Sequence, residues 1–262
     1  MNKHKLHSTR RDFLRWSLGL LAGGVLAACG VRARNETTGS SASLPTTPAP
    51  PTQTLQEQPP QPTPACVVRP EQTEGPYFVD EMLNRSDIRS DPSDGSVKEG
   101  VPLRLVFNVS QIDGSSCTPL AGALVDIWQC DALGVYSDVQ DPGFDTTGEK
   151  FLRGYQVTDI IGTAEFMTIY PGWYQGRTVH IHFKIRTDPV SQQGYEFTSQ
   201  LYFDDSVTDQ VHAREPYAAK GQRTLKNDGD GIFRNGGSQL ILQLAEEGEG
   251  YVATFDIGLQ VS

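Results

Sequence analysis

Positive charge is scarce in this sequence, which holds 22 lysines and arginines against 32 aspartates and glutamates. Proteins that bind nucleic acid usually neutralise phosphates with Lys and Arg, so a formal net charge of −10 argues against such a partner. The apolar stretch at about residues 16–28 is shorter than the roughly 20 residues that a membrane-spanning helix needs. The sequence also lacks a C-x-x-C spacing, so a cysteine-based metal site is not expected.

The segment 1–28 predicts an export signal rather than part of the fold. Arg10 and Arg11 form a twin-arginine pair ahead of the short apolar stretch, as in the signals of the twin-arginine route. A Leu-Ala-Ala-Cys-Gly run at residues 26–30 resembles a bacterial lipobox. We therefore predict a lipoprotein on the extracytoplasmic face of the cell membrane, with Cys29 lipidated. The alternative is ordinary cleavage nearby, which would discard Cys29.

Residues 29–65 predict a linker because they are rich in Pro, Thr, Ser and Gln and poor in apolar residues. Such a segment cannot bury enough surface to offset its ordering entropy. The remaining residues 66–262 have the size of one domain. Segment 1–28 holds five Lys or Arg and one Asp, so its removal changes the formal charge from −10 to −14.

Three cysteines remain in that domain, at Cys66, Cys117 and Cys130. An exported domain can form disulfides, but an odd count allows at most one pair within the chain. The sequence does not choose between the pairings.

No segment of eleven or more residues shows a convincing helical period, whereas eight segments are rich in β-branched and aromatic residues. These predicted strands cover residues 103–112, 123–129, 154–158, 164–169, 179–186, 197–203, 240–245 and 252–259. Many short strands between turn signals predict an all-β fold, a β-sandwich. The long gaps at 137–152 and 204–238 predict loops with short helices around a functional site.

The most informative run of the sequence places Tyr174, Arg177, His180 and His182 within nine residues. The two histidines are two positions apart, so on a strand they point to one face and can share a metal. A tyrosine has a reference pKa near ~10, so only a strongly Lewis-acidic cation would hold it as phenolate. Ferric iron meets this requirement better than zinc or magnesium.

Further motifs surround this run. A G-x-Y turn ends at Tyr136, a P-G-x-Y motif ends at Tyr174, an R-x-x-H-x-H motif spans Arg177 to His182, and a Q-L-Y-F strand begins at Gln200. In this order the motifs resemble those of the intradiol ring-cleavage dioxygenases. These non-haem ferric enzymes include protocatechuate 3,4-dioxygenase and catechol 1,2-dioxygenase. The resemblance runs from about residue 73 to residue 203 and more loosely to the end.

The resemblance implies a ferric iron, Fe(3+), that is held by two tyrosines and two histidines. By motif these ligands are Tyr136, Tyr174, His180 and His182, with Tyr174 and His182 axial. Tyr174 is also implied to accept a substrate proton as a general base. Tyr170 lies outside the family position and is expected to be a strand or supporting residue. Two phenolates and one hydroxide would neutralise Fe(III), which lowers the cost of burying the site.

The resemblance also implies a reaction. A catechol-type ring would be cleaved between its two hydroxylated carbons, and both atoms of O2 would enter a cis,cis-muconate-type product. Arg177 matches the family arginine and is predicted to stabilise negative charge that develops on the substrate. Gln200 is predicted to line the same pocket, with Gly75, Pro76 and Tyr77 as part of its wall.

One connection departs from the family pattern. Relatives carry a longer insertion after the P-G-x-Y tyrosine, whereas here only Gln175 and Gly176 precede Arg177. A particular substrate preference is therefore not transferred. Relatives often assemble, so a homo-oligomer is compatible with the sequence.

Other residues are expected to have structural roles. Core or pocket-wall aromatics are predicted at Trp128, Tyr155 and Trp173. His212 is predicted to lie in an exposed loop, and Asp126 and Arg153 to form an ion pair. The Asp- and Gly-rich residues 227–231 do not match the calcium-loop spacing and predict a turn.

Two non-enzymatic functions stay open on the sequence. The domain would then be a surface-tethered β-sandwich that binds catecholic, aromatic or iron-chelating ligands without turnover, or a degenerate sandwich used only for cell-surface interaction. The complete set of four ligands argues against the second of these.

Overall fold

Residues 66–188 and 194–261 are described by the computed structural model of the protein. The predicted signal segment 1–28 and linker 29–65 lie outside these residues, and both stay predictions. Within the described ranges, no helix has the length and apolar character that crossing a bilayer requires.

The described chain consists mostly of strands. The strands are β1 Pro102–Asp113, β2 Ser116–Pro119, β3 Leu124–Trp128, β4 Gln140–Asp141, β5 Phe144–Asp145, β6 Arg153–Val157, β7 Thr163–Ile169, β8 His180–Arg186, β9 Glu196–Tyr202, β10 Leu244–Glu247 and β11 Gly250–Leu259. The helix α1 covers Asp205–His212, and short 3₁₀ helices cover Tyr217–Lys220, Asn227–Gly229 and Gly237–Leu240.

Two sheets form the fold. In the first sheet β1 lies at the centre, and β11 pairs with it in parallel on one side. On the other side two strands pair with β1 in antiparallel direction, β7 along its first part and β2 along its last part. Strand β10 extends this sheet beyond β11. The second sheet has the antiparallel order β6-β3-β8-β9. A small hairpin of β4 and β5 stands apart from both.

The side-chain alternation of the strands creates the core between the two sheets. Along β1, Leu103, Leu105 and Phe107 are fully buried while the residues between them are partly exposed. Phe107 of the first sheet meets Phe183 of the second, with ring centroids 5.4 Å apart. This two-layer, apolar interior confirms the prediction of an all-β sandwich.

Seven of the eight predicted strands are confirmed within a few residues. The prediction for residues 240–245 was wrong at its start, because a 3₁₀ helix ends at Leu240 and β10 begins only at Leu244. The apolar pattern there has a different cause: Leu240 and Leu242 are buried, and Leu242 N–H donates to the Tyr202 carbonyl oxygen at 2.8 Å. The long gap at 204–238 contains short helices, as predicted.

Two structural expectations were wrong. His212 is only 9% exposed because it ends α1, where its ring stacks on Tyr217 and its Nε2 lies 3.0 Å from the Pro171 carbonyl oxygen. Asp126 does not pair with Arg153. It accepts two hydrogen bonds from Arg186 at 2.9 and 3.0 Å, since Arg153 lies opposite Trp128 in the sheet and donates to Ser137 at 2.8 Å.

The disulfide joins Cys66 to Cys117, while Cys130 is a buried free thiol. This bond attaches the first described residue of the domain to β2, and the two cysteines are 51 positions apart in the sequence. A crosslink of that span restricts the unfolded chain far more than the folded one.

Replacing both cysteines, Cys66→Ser and Cys117→Ser, is expected to lower the free energy of unfolding by about 4 kcal/mol, the chain-entropy value for a loop of this size. Urea unfolding would measure the difference. A reductant should destabilise the wild-type domain by a similar amount and leave the variant unchanged. Equal stabilities with and without the crosslink would contradict the expectation.

Candidate metal centre

Strand β8 places the two histidines of the site. Alternate side chains of this strand point to opposite faces of the sheet. Ile181, Phe183 and Ile185 point into the sandwich core, and His180, His182 and Lys184 point to the other face. His180 and His182 are 2% and 1% exposed, and their Nε2 atoms lie 3.0 Å apart. The two imidazoles therefore converge on one point, as their spacing predicted.

Both histidines are held in the neutral form that binds metals. Burial and then the charge of Arg177 lower the pKa of His180 to about 3. Burial lowers the pKa of His182 well below its ordinary value, with His180 and Arg177 acting in the same direction. His180 Nδ1 lies 2.7 Å from the Thr178 carbonyl oxygen. Because Nδ1 donates its proton there, the Nε2 lone pair is left for a ligand.

The turn after β3 brings Tyr136 beside this pair. Asp131 Oδ1 accepts from the backbone N–H groups of Leu133 and Val135, which fixes the turn. Gly134 has φ +79°, and a Cβ at that position would collide with the Trp173 carbonyl oxygen. Glycine is thus required for the loops that carry the two tyrosines to approach each other. Tyr136 Oη lies 3.5 Å from His180 Nε2.

The P-G-x-Y loop brings Tyr174 to the same place. Its ring centroid is 5.6 Å from that of Tyr136 and 5.8 Å from that of His180. Burial raises the pKa of Tyr174 to about 12, although Arg177 acts in the opposite direction. Burial also raises the pKa of Tyr136 well above its ordinary value. Both phenols are therefore neutral at pH 7 unless a cation replaces their protons.

This donor set fits ferric iron and fits other metals poorly. Two neutral imidazoles and two phenols converge in a buried space. Across the described residues, no group of three or more His, Cys, Asp and Glu is placed to hold a metal. A cation here would have to bind the phenol oxygens as phenolates, which suits a hard trivalent ion that can offset the unfavourable pKa values.

Arg177 and Gln200 are hydrogen-bonded to each other at the edge of the site. Gln200 lies in β9 directly opposite His182 of β8, and its Oε1 accepts from Arg177 Nη2 at 2.6 Å. Its amide nitrogen donates to the Thr73 carbonyl oxygen at 2.8 Å. The guanidinium is therefore held beside Tyr174 at the edge of the site.

The predicted wall residues belong to the segment ahead of β1, and they contact His182 and Tyr136. Gly75 has φ +74°, and a Cβ there would lie 3.1 Å from His182 Cε1. Tyr77 follows Pro76 in the same turn and stacks on Tyr136 with ring centroids 4.6 Å apart. The Tyr77 hydroxyl donates to Asp141 Oδ2 at 2.7 Å.

The tyrosines open into a cleft of about 550 Å³. The residues that line it are Tyr77, Leu133, Gly134, Val135, Tyr136, Asp141, Pro142, Gly143, Phe144, Tyr174, Gln175 and Lys220. The hairpin of β4 and β5 and the residue Lys220 were not predicted from the sequence. Neither carries a local motif, since two-residue strands have no period and Lys220 reaches the cleft from 44 residues beyond Gly176.

The aromatics that were predicted to be structural have structural contacts. Trp128 stacks on His182 with centroids 5.0 Å apart, and Trp173 Nε1 donates to the Gly221 carbonyl oxygen at 3.2 Å. The hydroxyl of Tyr170 is 2.7 Å from Thr208 Oγ1, away from the two Nε2 atoms.

The predicted turn at residues 227–231 is a 3₁₀ helix, Asn227–Gly229, followed by Asp230. This carboxylate is 1% exposed and accepts from Arg177 Nε at 2.8 Å. The contact between Asp230 and Arg177 was not predicted, because the two residues are 53 positions apart and no sequence motif connects them.

Known proteins are similar to this chain in sequence and in fold. A family model described as Dioxygenase matches residues 73–229, more than half of the chain. The structure of an intradiol ring-cleavage dioxygenase from Tetranychus urticae is 32% identical, with a TM-score of 0.63 over 75% of this chain and 95% of that chain. A dioxygenase domain from a carbohydrate-binding protein fusion of Streptomyces sp. SirexAA-E is also 32% identical, with a TM-score of 0.53, and is covered completely.

Curated relatives give the same picture at lower identity. The protocatechuate 3,4-dioxygenase beta chain of Burkholderia cepacia is 29% identical over 183 residues, which is 65% of this chain and 71% of the relative. Catechol 1,2-dioxygenase 1 of Acinetobacter lwoffii is 28% identical over 165 residues. This chain spans about half (49%) of the length of that second relative.

The lowered histidine pKa values predict a pH dependence of stability. A histidine whose pKa falls on folding binds its proton more readily in the unfolded chain, so its contribution is complete above pH ~6.5 and is lost as pH falls toward 3. In metal-free protein the free energy of unfolding should therefore decrease from pH 7 to pH 5. The slope is about 1.4 kcal/mol per pH unit for each such histidine.

The variant His180→Gln should reduce this slope in urea unfolding series, and Tyr136→Phe, which removes no titrating group in this range, should keep it. Burial raises the pKa of Asp126 to about 6, which acts in the opposite direction, but this residue is common to all three proteins. The difference between wild type and variant thus isolates the histidine. An unchanged slope in His180→Gln would contradict the buried neutral pair.

Proposed function

Because this chain belongs to the dioxygenase family and is an intradiol ring-cleavage dioxygenase, we propose the details of its function that the family leaves open. The substrate is a catechol-type aromatic, the cofactor is Fe(3+) held by Tyr136, Tyr174, His180 and His182, and the product is a cis,cis-muconate-type diacid. The observation that carries the proposal is the convergence of two neutral imidazoles, the buried phenol of Tyr136 and the half-buried phenol of Tyr174 beside one arginine.

Ferric iron at this donor set would supply the Lewis-acid and redox chemistry that allows a catechol to react with O2. The reaction is balanced without another reductant, because the diacid contains every atom of the catechol and of O2. One carbon–carbon bond, between the two hydroxylated carbons, is broken.

Tyr174 is the proposed proton acceptor. Tyr174 can accept a proton from a catechol hydroxyl only as a phenolate, the form that a bound cation would hold. Burial raises the pKa of its free hydroxyl to about 12, so the hydroxyl would keep that proton after the transfer. Arg177 stabilises negative charge on that oxygen and on the substrate from a fixed position, since Gln200 holds its guanidinium. Both proposed roles, proton acceptance by Tyr174 and charge stabilisation by Arg177, place the substrate oxygens next to His180.

The aromatic wall is proposed to orient the substrate ring. Tyr77 stacks on Tyr136 at 4.6 Å and meets Tyr174 edge-on at 5.9 Å. Together with the backbone of Gly75 against His182, these rings exclude water from the inner end of the cleft. The outer end remains wide, and ring substituents would extend into it.

Oxygen uptake tests the reaction. The iron-loaded protein should consume O2 with a substituted catechol, and with ¹⁸O2 the product should gain two labelled oxygens. Tyr174→Phe should lower kcat by a factor of about 10² to 10⁴, the usual range for a lost general base, and should alter the tyrosinate-to-iron absorption.

The matched control is Tyr170→Phe, which removes the same hydroxyl group four residues earlier from a partner outside the site, Thr208. This variant should keep its activity and its absorption band. A wild-type protein that stays colourless and inactive after ferric reconstitution would rule out the proposed cofactor and substrate class.

We also propose that the enzyme is exported and anchored by lipid at Cys29. The support is the twin-arginine pair Arg10 and Arg11 together with the lipobox-like run at residues 26–30. The exported location agrees with the Cys66–Cys117 disulfide, because such bonds persist mainly in oxidising compartments. The linker 29–65 would separate the anchor from the catalytic domain.

Expression in a bacterial host and membrane fractionation test the anchor. The wild-type protein should sediment with membranes and be released by detergent, whereas Cys29→Ser should be found in the soluble fraction. Lysine substitution of both Arg10 and Arg11 should block export. A Cys29→Ser protein that stays with the membranes would contradict lipid anchoring. The homo-oligomer stays a prediction.

A further inference from the structure

A buried carboxylate stands behind the proposed catalytic arginine. Asp230 is 1% exposed and follows the 3₁₀ helix Asn227–Gly229. Its Oδ2 accepts from Arg177 Nε and from the Thr178 backbone N–H, each at 2.8 Å. A buried charge of this kind is expensive unless it is fully paired, and here it is paired with the segment that leads into β8.

The other carboxylate oxygen fixes Asp230 itself. Its Oδ1 accepts from the backbone N–H groups of Ile232 and Phe233 at 2.7 and 3.1 Å. The Asp230 carboxylate is therefore held in place by its own turn, independently of its contact with Arg177. Burial raises the pKa of the Asp230 carboxyl, but the bonds from Thr178 and Arg177 outweigh it and the pKa is lowered overall. The group is thus a carboxylate at neutral pH.

We propose that Asp230 is the positioning residue for Arg177. This inference rests on the proposed function of the site, in which the guanidinium stabilises anionic oxygen. The guanidinium has two fixed points, Nε on Asp230 and Nη2 on Gln200. These two hydrogen bonds hold the planar group in one orientation, in which it also interacts with Tyr174.

The second branch of the contact runs through the backbone. Thr178 donates its N–H to Asp230 and its hydroxyl to Asn227 Oδ1 at 2.7 Å. The carbonyl oxygen of the same residue accepts from His180 Nδ1 at 2.7 Å. Asn227 in turn donates to the Phe203 carbonyl oxygen at 2.8 Å. One turn therefore sets the orientation of an imidazole as well as that of a guanidinium.

A purely structural role is the competing explanation, since Asp230 also organises its own turn. The two roles differ in one respect. If Asp230 acts through Arg177, its substitution matters to catalysis only while Arg177 is present. If it only stabilises the turn, its effect is the same with or without the arginine.

The test is a double-mutant cycle on iron-loaded protein with Asp230→Asn and Arg177→Gln. Asp230→Asn keeps the size of the side chain and should lower kcat by about 10- to 100-fold, as for other residues that orient an active group, with a smaller change in KM. In the Arg177→Gln background the same substitution should change kcat less than about threefold. Equal factors in both backgrounds would overturn the proposal.

Asp228→Asn is the matched control, because it makes the same change two residues earlier, at an exposed position on the 3₁₀ helix that precedes Asp230. It should keep the kcat of the wild type. If Asp228→Asn lowered kcat as much as Asp230→Asn does, the effect would belong to the turn as a whole and the proposal would fail.

A second measurement needs neither iron nor turnover. In metal-free protein, the ¹H–¹⁵N resonance of Arg177 Nε should exchange slowly with solvent in wild type and in Asp228→Asn, and should lose this protection in Asp230→Asn. Equal protection in all three would overturn the proposal. Wild-type protein that is inactive toward catechols but shows this pattern would reject the proposed function and leave the positioning of Arg177 established.

Discussion

The outward face of strand β8 is polar and nevertheless buried, and most of the site follows from this constraint. His180, His182, Lys184 and Arg186 are all less than 9% exposed. Burying a polar group is costly unless the group is bonded. Among the described residues His182 Nδ1 has no hydrogen-bond partner, whereas His180 Nδ1 lies 2.7 Å from the Thr178 carbonyl oxygen. The segment that supplies the cover is the irregular stretch 72–81 ahead of the first strand.

The two ends of β8 meet this requirement differently. At the C-terminal end, Lys184 pairs with Glu74 and Glu196, and Arg186 pairs with Asp80 and Asp126. At the N-terminal end no carboxylate contacts the imidazoles among the described residues, and the neighbours are phenols and Arg177 instead. The seven residues of β8 therefore combine an ion-pair network at one end with two neutral imidazoles at the other.

The sequence was sufficient for the parts of this arrangement that depend on local order. The period of two along β8 predicted a shared face for His180 and His182, and motif order placed Tyr136 and Tyr174 with them. The parts that depend on distant contacts were not readable. The burial of His212 follows from the packing of α1 on the Pro171 loop, and Asp230 meets Arg177 across 53 residues.

This difference between local order and distant contacts explains why the chemistry of the site is easier to derive from the sequence than its choice of substrate. The inner end of the cleft is built from Tyr136, Tyr174 and the histidines, whose positions are fixed by β8 and by close loop contacts that only glycine permits. The outer end is built from the β4–β5 hairpin, Gln175 and Lys220, which reach the cleft from three separate parts of the chain. With the connection between Tyr174 and Arg177 reduced to Gln175 and Gly176, no long loop from that side closes over the cleft. Under the proposed function, the hairpin and Lys220 would discriminate between ring substituents, and the inner end would hold the reacting carbons.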